Sequence, residues 1–367
     1  MSVPPSPVLV VNAGSHSLKL AVIDADLTIL DEADIDAPPD SGDAADGLAN
    51  FLDNLPEVGA VGHRIVHGGP HLTRACIIDD RVRQHLDAAT TLAPQHVPAA
   101  LAAVDTCRRQ LPDAIQVACL DTAFHTTLPE AARTYPIPAR WRRAYGVRRY
   151  GFHGLSYTWT LARTAELLDR DPANLQVVLT HLGGGASVCA VRDGASVWTS
   201  MGFTPLEGLM MSRRSGSVDP GMLLWLQTEK GLTAAEVSDA LEHESGLLGL
   251  SDGRSGDTRE LVGAAAGGNA AAALAMDVFC LRARQGIAAA AATLDRLDAV
   301  VFSGEIGADQ PEVREAVSAG LAVLGLHGGL DPRQDQNRIV STSGIPVLLV
   351  HPDEQRQIAR EVRQLLR

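Results

Sequence analysis

The chain has 367 residues, 46% of them hydrophobic and 20% charged, with a formal net charge of -13 at pH 7. That length exceeds one typical hydrophobic core and predicts two domains, and the composition is that of an ordinary soluble globular protein. The acidic balance excludes a general nucleic-acid surface, so the positive charge needed by any anionic ligand must be supplied locally. Aromatic residues make up only 4%, which leaves Ala, Val and Leu to build the core. Cys76, Cys107, Cys119, Cys189 and Cys280 are odd in number and lack CxxC spacing. They fit buried thiols in a reducing, cytoplasmic compartment. No basic segment followed by a long apolar run opens the chain, and no uncharged apolar run has membrane-spanning length, so no membrane association is expected.

In chain order, Val8 to Asp24 reads as apolar strand, small-residue turn and apolar strand. Asp31 to Asp46 is Asp-rich and reads as a solvent-facing connection. Glu57 to Gly69 reads as a buried strand ending in a glycine turn, with Arg64 inside the apolar run between His63 and His67. A charge there needs a partner, either a structural carboxylate or a bound anion. Pro98 to Leu111 has helical spacing, and Ala114 to Leu120 is a strand delivering Asp121 to its C-terminal end. Such a carboxylate belongs either to an α/β active site above the sheet or to a helix N-cap. Pro129 to Tyr150 is rich in Pro and Arg and reads as a crossing between domains, followed by a helical run from Ser156 to Asp169.

Val177 to Thr180 and Ala186 to Arg192 are strands joined by Gly183, Gly184 and Gly185. No long helix follows the glycines, which excludes a P-loop and a dinucleotide fingerprint. The remaining readings are a tight turn or a turn whose backbone N–H groups face phosphate. With Asn12 laid on His181, the two hairpins share Gly14/Gly183, Ala21/Ala190, Val22/Val191 and Asp24/Asp193. The echo points to a duplicated domain, with chance likeness of two hairpins as the alternative. Thr199 to Leu223 is irregular and contains the adjacent Arg213 and Arg214, and long irregular stretches within a domain are often functional. Met210 and Met211 read as packing residues. Leu297 to Phe302 is a buried strand leading to a glycine turn and helix, and Pro346 to Val350 is the last strand before a capped terminal helix.

Together NAGSHSLK, GHRIVHGG, DTAFHTTLP, YGFHGLSY, HLGGGAS, SMGFTPLEGLMM with RRSGSVDP, and DEQRQIAR occur in one order from Asn12 to Arg360. This set resembles the acetate kinase family. The resemblance implies an α/β fold of two duplicated actin-like, ribonuclease H-like domains flanking an active-site cleft. It places residues 1–122 plus 350–367 in a discontinuous first domain and 123–349 in the second. The implied reaction is reversible transfer of the ATP γ-phosphoryl group to acetate, giving acetyl phosphate and ADP. Propionate as acceptor, or GTP or pyrophosphate as donor, are sister activities. A nucleotide-dependent conformational protein that has kept the fold but little catalysis is the alternative from another class.

By the same resemblance Arg64 binds the substrate carboxylate or the transferring group, and Arg214 stabilises the equatorial oxygens of the transferring group in the transition state. His153 is a further donor, and Asp121 organises Mg2+ (or Mn2+) and its waters. Asn12 and Glu354 match the metal positions, and Lys19 matches a phosphate contact, its alternative being an exposed strand residue. His181, Leu182, Gly183, Gly184 and Gly185 match the phosphate turn. Asp257, Thr258, Arg259, Glu305, Ile306, Gly307, Ala308 and Asp309 match the adenosine end. The family's partners are a small carboxylate and a nucleotide, and its members are homodimers. This chain departs from the pattern where relatives carry HLGNG (Gly184), DFR (Thr258), GIGEN (Glu305, Ala308) and a second histidine (Tyr157). His16 interrupts the usual serine turn.

Overall fold

The computed structural model describes residues 6–14, 17–38, 41–53 and 57–367. The His16 departure lies outside them. Two compact units emerge: Met1–Thr126 with Phe152–Trp159 and Asp353–Arg367, and Thr127–Gly151 with Thr160–Pro352.

The first unit holds a six-stranded sheet. Its strands are β1 (Val8–Ala13), β2 (Leu18–Ile23), β3 (Ile29–Ile35), β4 (Ala60–Ile65), β5 (Cys76–Ile77) and β6 (Ile115–Leu120). They lie in the order β3-β2-β1-β4-β6-β5. β1, β2 and β3 form an antiparallel meander, whereas β4 runs parallel to both β1 and β6. Every residue of β1 is buried, as expected for a central strand covered on both faces.

The second unit repeats the plan. β7 (Gln176–Leu182), β8 (Ala186–Arg192) and β9 (Ala195–Thr199) form the meander, followed by β10 (Ala299–Ser303), β11 (Arg338–Ile339) and β12 (Val347–Leu349). The order β11-β12-β10-β7-β8-β9, read from the other edge, is that of the first sheet. β10 is parallel to β7 and β12, and β11 closes the edge antiparallel. The hairpin echo in the sequence therefore reports a repeated sheet topology.

Two expectations are corrected. Residues 31–46 are not simply a connection: they contain most of the edge strand β3 and the start of the helix Gly42–Leu52, which Ser41 caps by accepting from the Ala44 N–H at 3.2 Å. An edge strand pairs on one side only, so it tolerates acidic residues that a central strand would reject. The segment Phe152–Trp159, expected in the second domain, clusters with the first unit. Its Leu155 joins the first unit's core, and the Gly154 N–H donates to the Asp121 carbonyl at 2.9 Å.

The terminal helix Glu354–Leu365 packs Ile358, Ala359 and Val362 into a cluster with Val8, Val10, Val117 and Cys119. Asp353 caps it by accepting from the Arg356 N–H at 2.9 Å, and Arg356 Nε donates to the Leu27 carbonyl at 2.8 Å. The helix can settle this closely because β4 carries Gly62. A Cβ there would lie 2.5 Å from Ile358 and 2.7 Å from Val362. Gly62→Ala should therefore overpack this contact and cost about 1–3 kcal/mol. An unchanged urea midpoint would contradict that packing argument.

Beside it, His63 is buried, and its ring is 2.8 Å from Gln116 Oε1. Because Gln116 Nε2 donates to the Ala114 carbonyl, its Oε1 accepts and His63 Nε2 is the donor. Burial pushes the imidazole down to about 4, the Gln116 hydrogen bond opposing and Arg108 assisting. Between its ordinary value of about 6.5 and this lowered one, the unfolded chain binds more protons than the folded one. His63 thus contributes stability above pH 6.5 that is lost as pH falls towards 4, on the order of 3 kcal/mol. Urea titrations at pH 7 and 4.5 should show a smaller pH-dependent loss for His63→Gln than for the wild type.

Candidate active site

In the first unit, β1, β4 and β6 run parallel, so their C-terminal ends deliver side chains to one edge, where α/β sheets bind ligands. Asn12 lies near the end of β1, Arg64 near the end of β4, and Asp121 immediately after β6. The terminal helix adds Glu354 from its first turn. Arg64 donates from Nε and Nη2 to Asp121 Oδ2 at 3.0 and 2.8 Å, and from Nη1 to Asn12 Oδ1 at 3.2 Å. Its Nη1 is also 3.6 Å from Glu354 Oε2, which accepts from Asn12 Nδ2 at 3.1 Å. Four predicted residues are thus brought together, although Asn12 and Glu354 are 342 positions apart. For the Arg64 partner, the carboxylate reading holds in this structure. The N-cap reading of Asp121 gives way to this ion pair.

The charges are mutually dependent. Burial opposes the Arg64 cation, but Asp121 and Glu354 outweigh it and hold its affinity for the proton above the ordinary arginine value. Asp121 is wholly buried, and burial raises its carboxyl to about 6 against the attraction of Arg64, with Glu354 adding repulsion. Its Oδ1 is buried and makes no hydrogen bond of good geometry among the described residues. Two carboxylates and an amide oxygen form an all-oxygen donor set, and the Leu155 N–H also faces the Asp121 carboxylate. Such a set fits Mg2+, which takes few protein ligands and keeps several waters.

His153 has a φ of 61°, a left-handed conformation uncommon outside glycine. It is held there because Gly154 sits against the Asp121 carbonyl, where a Cβ would clash with that oxygen and with Phe124. His153 therefore belongs to the same end of β6 as Asp121, its ring 6.5 Å from that of Tyr157. Lys19 is exposed on β2 and pairs in register with Asn12, which puts the two side chains on one face of the sheet.

In the second unit, His181 and Leu182 end β7 and Gly183–Gly185 form the turn, closed by the Gly183 N–H to the Gly185 carbonyl at 3.0 Å. None of these three glycines has positive φ, and a Cβ at Gly184 would meet nothing within 4 Å. The backbone conformation does not demand glycine there, and an asparagine would be admitted. The steric demand falls instead on Gly304, with φ 79°, where a Cβ would strike the Leu182 backbone. That close approach seats the helix Gly304–Asp309 on the end of β7.

Of the predicted purine contacts, Thr258, Ile306 and Ala308 are buried packing residues, leaving Arg259, Glu305 and Asp309 with exposed side chains, and Leu182 of the predicted phosphate turn is buried too. Thr258 accepts a hydrogen bond from Gln310 inside the unit, so an aromatic side chain at this position would enter the interior. Asp257 caps its helix and pairs with Arg259 at 2.8 Å. Arg259, Asp309 and Gln310 line a cavity of about 460 Å³ with Pro311, Glu312 and Arg333. Arg214 is largely buried, which lowers its proton affinity against the counter-charge of Glu242. Its guanidinium makes one hydrogen bond among the described residues, from Nη1 to the Pro205 carbonyl at 3.0 Å.

Sequence reasoning missed three supporting residues. Arg314 is the largest fully buried side chain, and its Nη1 donates to the Gly307 and Ala308 carbonyls at 3.0 and 2.6 Å. Its Nε and Nη2 make no hydrogen bond among the described residues. Arg149 and Glu207 form an ion pair at 2.5 Å. Only their place inside RRYGFHG and TPLEG could have drawn attention to them.

The repeated sheets, with the charged cluster at the strand ends of one, define a duplicated α/β protein of the actin-like class. Residues 37–360 match the model of the acetokinase family. The chain is 46% identical over 312 residues to the acetate kinase of Deinococcus radiodurans, covering 83% of this chain and 77% of that one. The structure of Porphyromonas gingivalis acetate kinase superposes with a TM-score of 0.89 at 33% identity, over 99% of this chain and 100% of that chain. A propionate kinase from Francisella tularensis gives 0.89 at 32% identity, over 97% and 98%. The chain belongs to the acetokinase family. Among the described residues no helix is long and apolar enough to cross a membrane.

Proposed function

We propose that this protein is an acetate kinase that transfers the γ-phosphoryl group of ATP reversibly to acetate, forming acetyl phosphate and ADP. The observation that carries the reading is the Arg64 cluster: a guanidinium fixed at the strand ends among oxygen donors that fit Mg2+. Acetate is ionised near neutral pH and attacks without a strong general base. Charge neutralisation and positioning are therefore the main demands on the protein.

In this reading Arg64 binds the acceptor carboxylate, which a guanidinium fork suits. Asp121, Asn12 and Glu354 hold Mg2+ and its waters, and the ion supplies charge neutralisation on the donor phosphates. His153 donates a hydrogen bond to the transferring group. Arg214 stabilises the charge that gathers on its equatorial oxygens, and Lys19 with the His181–Gly185 turn contacts the phosphate chain. Asp257, Arg259, Glu305 and Asp309 offer side chains to the nucleoside, whereas Leu182, Thr258, Ile306, Gly307 and Ala308 act through backbone or packing. A two-domain division with Phe152–Trp159 moved to the first domain, a cytoplasmic location and a homodimer belong to the same proposal, supported by the family resemblance.

Propionate is the second acceptor to weigh, because the propionate kinase superposes as well as the acetate kinase does. One methylene discriminates by only about 1–3 kcal/mol.

The test is to trap acyl phosphate as its hydroxamate with ATP, GTP or pyrophosphate against acetate, propionate and butyrate. Product should form with ATP and acetate and disappear when EDTA removes the divalent ion. No product from any pairing would sink the enzyme reading. Arg214→Ala should lower turnover by about 100-fold or more while nucleotide affinity stays nearly unchanged, since its partner charge develops only during transfer. Equal losses in turnover and affinity would contradict that role.

A further inference from the structure

Arg214 sits in the stretch between β9 and the helix Pro220–Lys230, which has no regular secondary structure. A long, mostly buried cation on an irregular segment has many rotamers, and catalysis needs one of them held. Among the described residues its single guanidinium hydrogen bond is to the Pro205 carbonyl. The question becomes what fixes Pro205.

Proline has no N–H with which to anchor itself. The residues on either side do the anchoring, and both lead to one hydroxyl. The Phe203 N–H donates to Tyr135 Oη at 2.9 Å, and Tyr135 Oη donates to Glu207 Oε2. One phenol thus ties both ends of the five-residue segment 203–207, with Pro205 at its centre. Arg149 fixes the phenol's surroundings. Its Nη2 donates to Glu207 Oε1 at 2.5 Å, its Nη1 donates to the Ser200 and Met201 carbonyls at 2.9 and 2.8 Å, and its guanidinium lies 5.3 Å over the Tyr135 ring. Gly202 permits the approach, because a Cβ there would overlap Glu207 and the Tyr135 hydroxyl. Burial raises the Tyr135 phenol, Arg149 opposing and Glu207 assisting, so the hydroxyl keeps its proton at neutral pH and remains a donor.

We propose that Tyr135, Glu207 and Arg149 form a clasp whose task is to position Arg214 through the Pro205 carbonyl. They are positioning residues and touch no reacting atom. This proposal rests on the catalytic reading of Arg214 given above. Misplacing a transition-state group by about 1 Å costs about 100-fold, so losing the clasp should appear in turnover rather than in substrate binding.

The test uses Tyr135→Phe and, as a second route to the same clasp, Glu207→Gln, each made in the wild type and in the Arg214→Ala background. In the wild type each should lower kcat about 10- to 100-fold, with KM for carboxylate and nucleotide within about two-fold. In the Arg214→Ala background each should lower kcat no further, because the clasp acts only through that side chain. A loss of the same size in both backgrounds, or a loss confined to KM, overturns the proposal. A readout independent of turnover is the Arg214 Nε–H resonance in 15N NMR, assigned by its absence from Arg214→Ala. Its shift should collapse towards that of a free arginine in Tyr135→Phe and in Glu207→Gln, and an unmoved resonance in both variants overturns the clasp. A wild type that makes no acyl phosphate while its Arg214 resonance moves as expected would defeat the kinase reading and leave the clasp standing.

Discussion

The pairing of Arg64 with Asp121 is the constraint from which the first unit's site follows. A guanidinium inside a central parallel strand is unstable in isolation, because removing it from water costs far more than the strand's hydrogen bonds return. Asp121 meets it from the end of the neighbouring strand, and the β4–β6 register sets Arg64 opposite Cys119, two residues short of that carboxylate. The same charges draw in Glu354, and through it the first turn of the terminal helix. Burial raises Asp121, and Glu354 raises it further. Asp121 and Glu354 set two carboxylates against the single cation of Arg64, a balance suited to a divalent cation. Electrostatics and chain topology thus point to one arrangement.

The hydrophobic core serves that arrangement. The terminal helix returns to the first sheet by packing Ile358, Ala359 and Val362 where β4 offers Gly62 instead of a side chain. Its docking sets the position of Glu354, so a packing detail on a sheet face becomes an electrostatic detail at a strand end. Chain connectivity alone would leave Glu354 anywhere within reach of β12. The Gly154 contact behind Asp121 does similar work for His153, holding it in a left-handed conformation that the residue would not choose alone.

How much of this was legible in the sequence depends on range. The strands of both hairpins showed as apolar runs, and the echo between them anticipated the repeated topology. The acidic edge strand β3 was misread because its side chains carry the polarity of a loop while its backbone pairs on one side. Arg64 announced a need for a partner but could not name it, since Asp121 lies 57 positions away and Glu354 further still. Those contacts depend on sheet register and helix docking, which no local pattern encodes. At Thr258 the sequence showed a missing aromatic, but only burial and the Gln310 hydrogen bond revealed that the side chain faces inward. The glycine turn was read as a tight turn or one whose N–H groups face phosphate; none of its φ angles is positive, and the glycine that the backbone demands is Gly304, more than a hundred residues on.

The two units solve the problem of holding a cation in different ways. Arg64 is fixed by charge: its partners are carboxylates that are themselves buried or partly buried, and removing one leaves the others unbalanced. Arg214 is hydrogen-bonded to a neutral carbonyl while Glu242 acts on it as a counter-charge, and the Arg149–Glu207 pair lies one step behind that carbonyl. A guanidinium committed to a carboxylate has spent part of its field. One held by a carbonyl keeps most of its charge for an anion that develops later. The same reasoning applies to Arg314, whose Nη1 is held only by the Gly307 and Ala308 carbonyls, although its role is to brace the helix Gly304–Asp309 from within the core. Carboxylate partners therefore suit a cation that must define a resting site, and carbonyl partners suit one that must answer to charge appearing during the reaction.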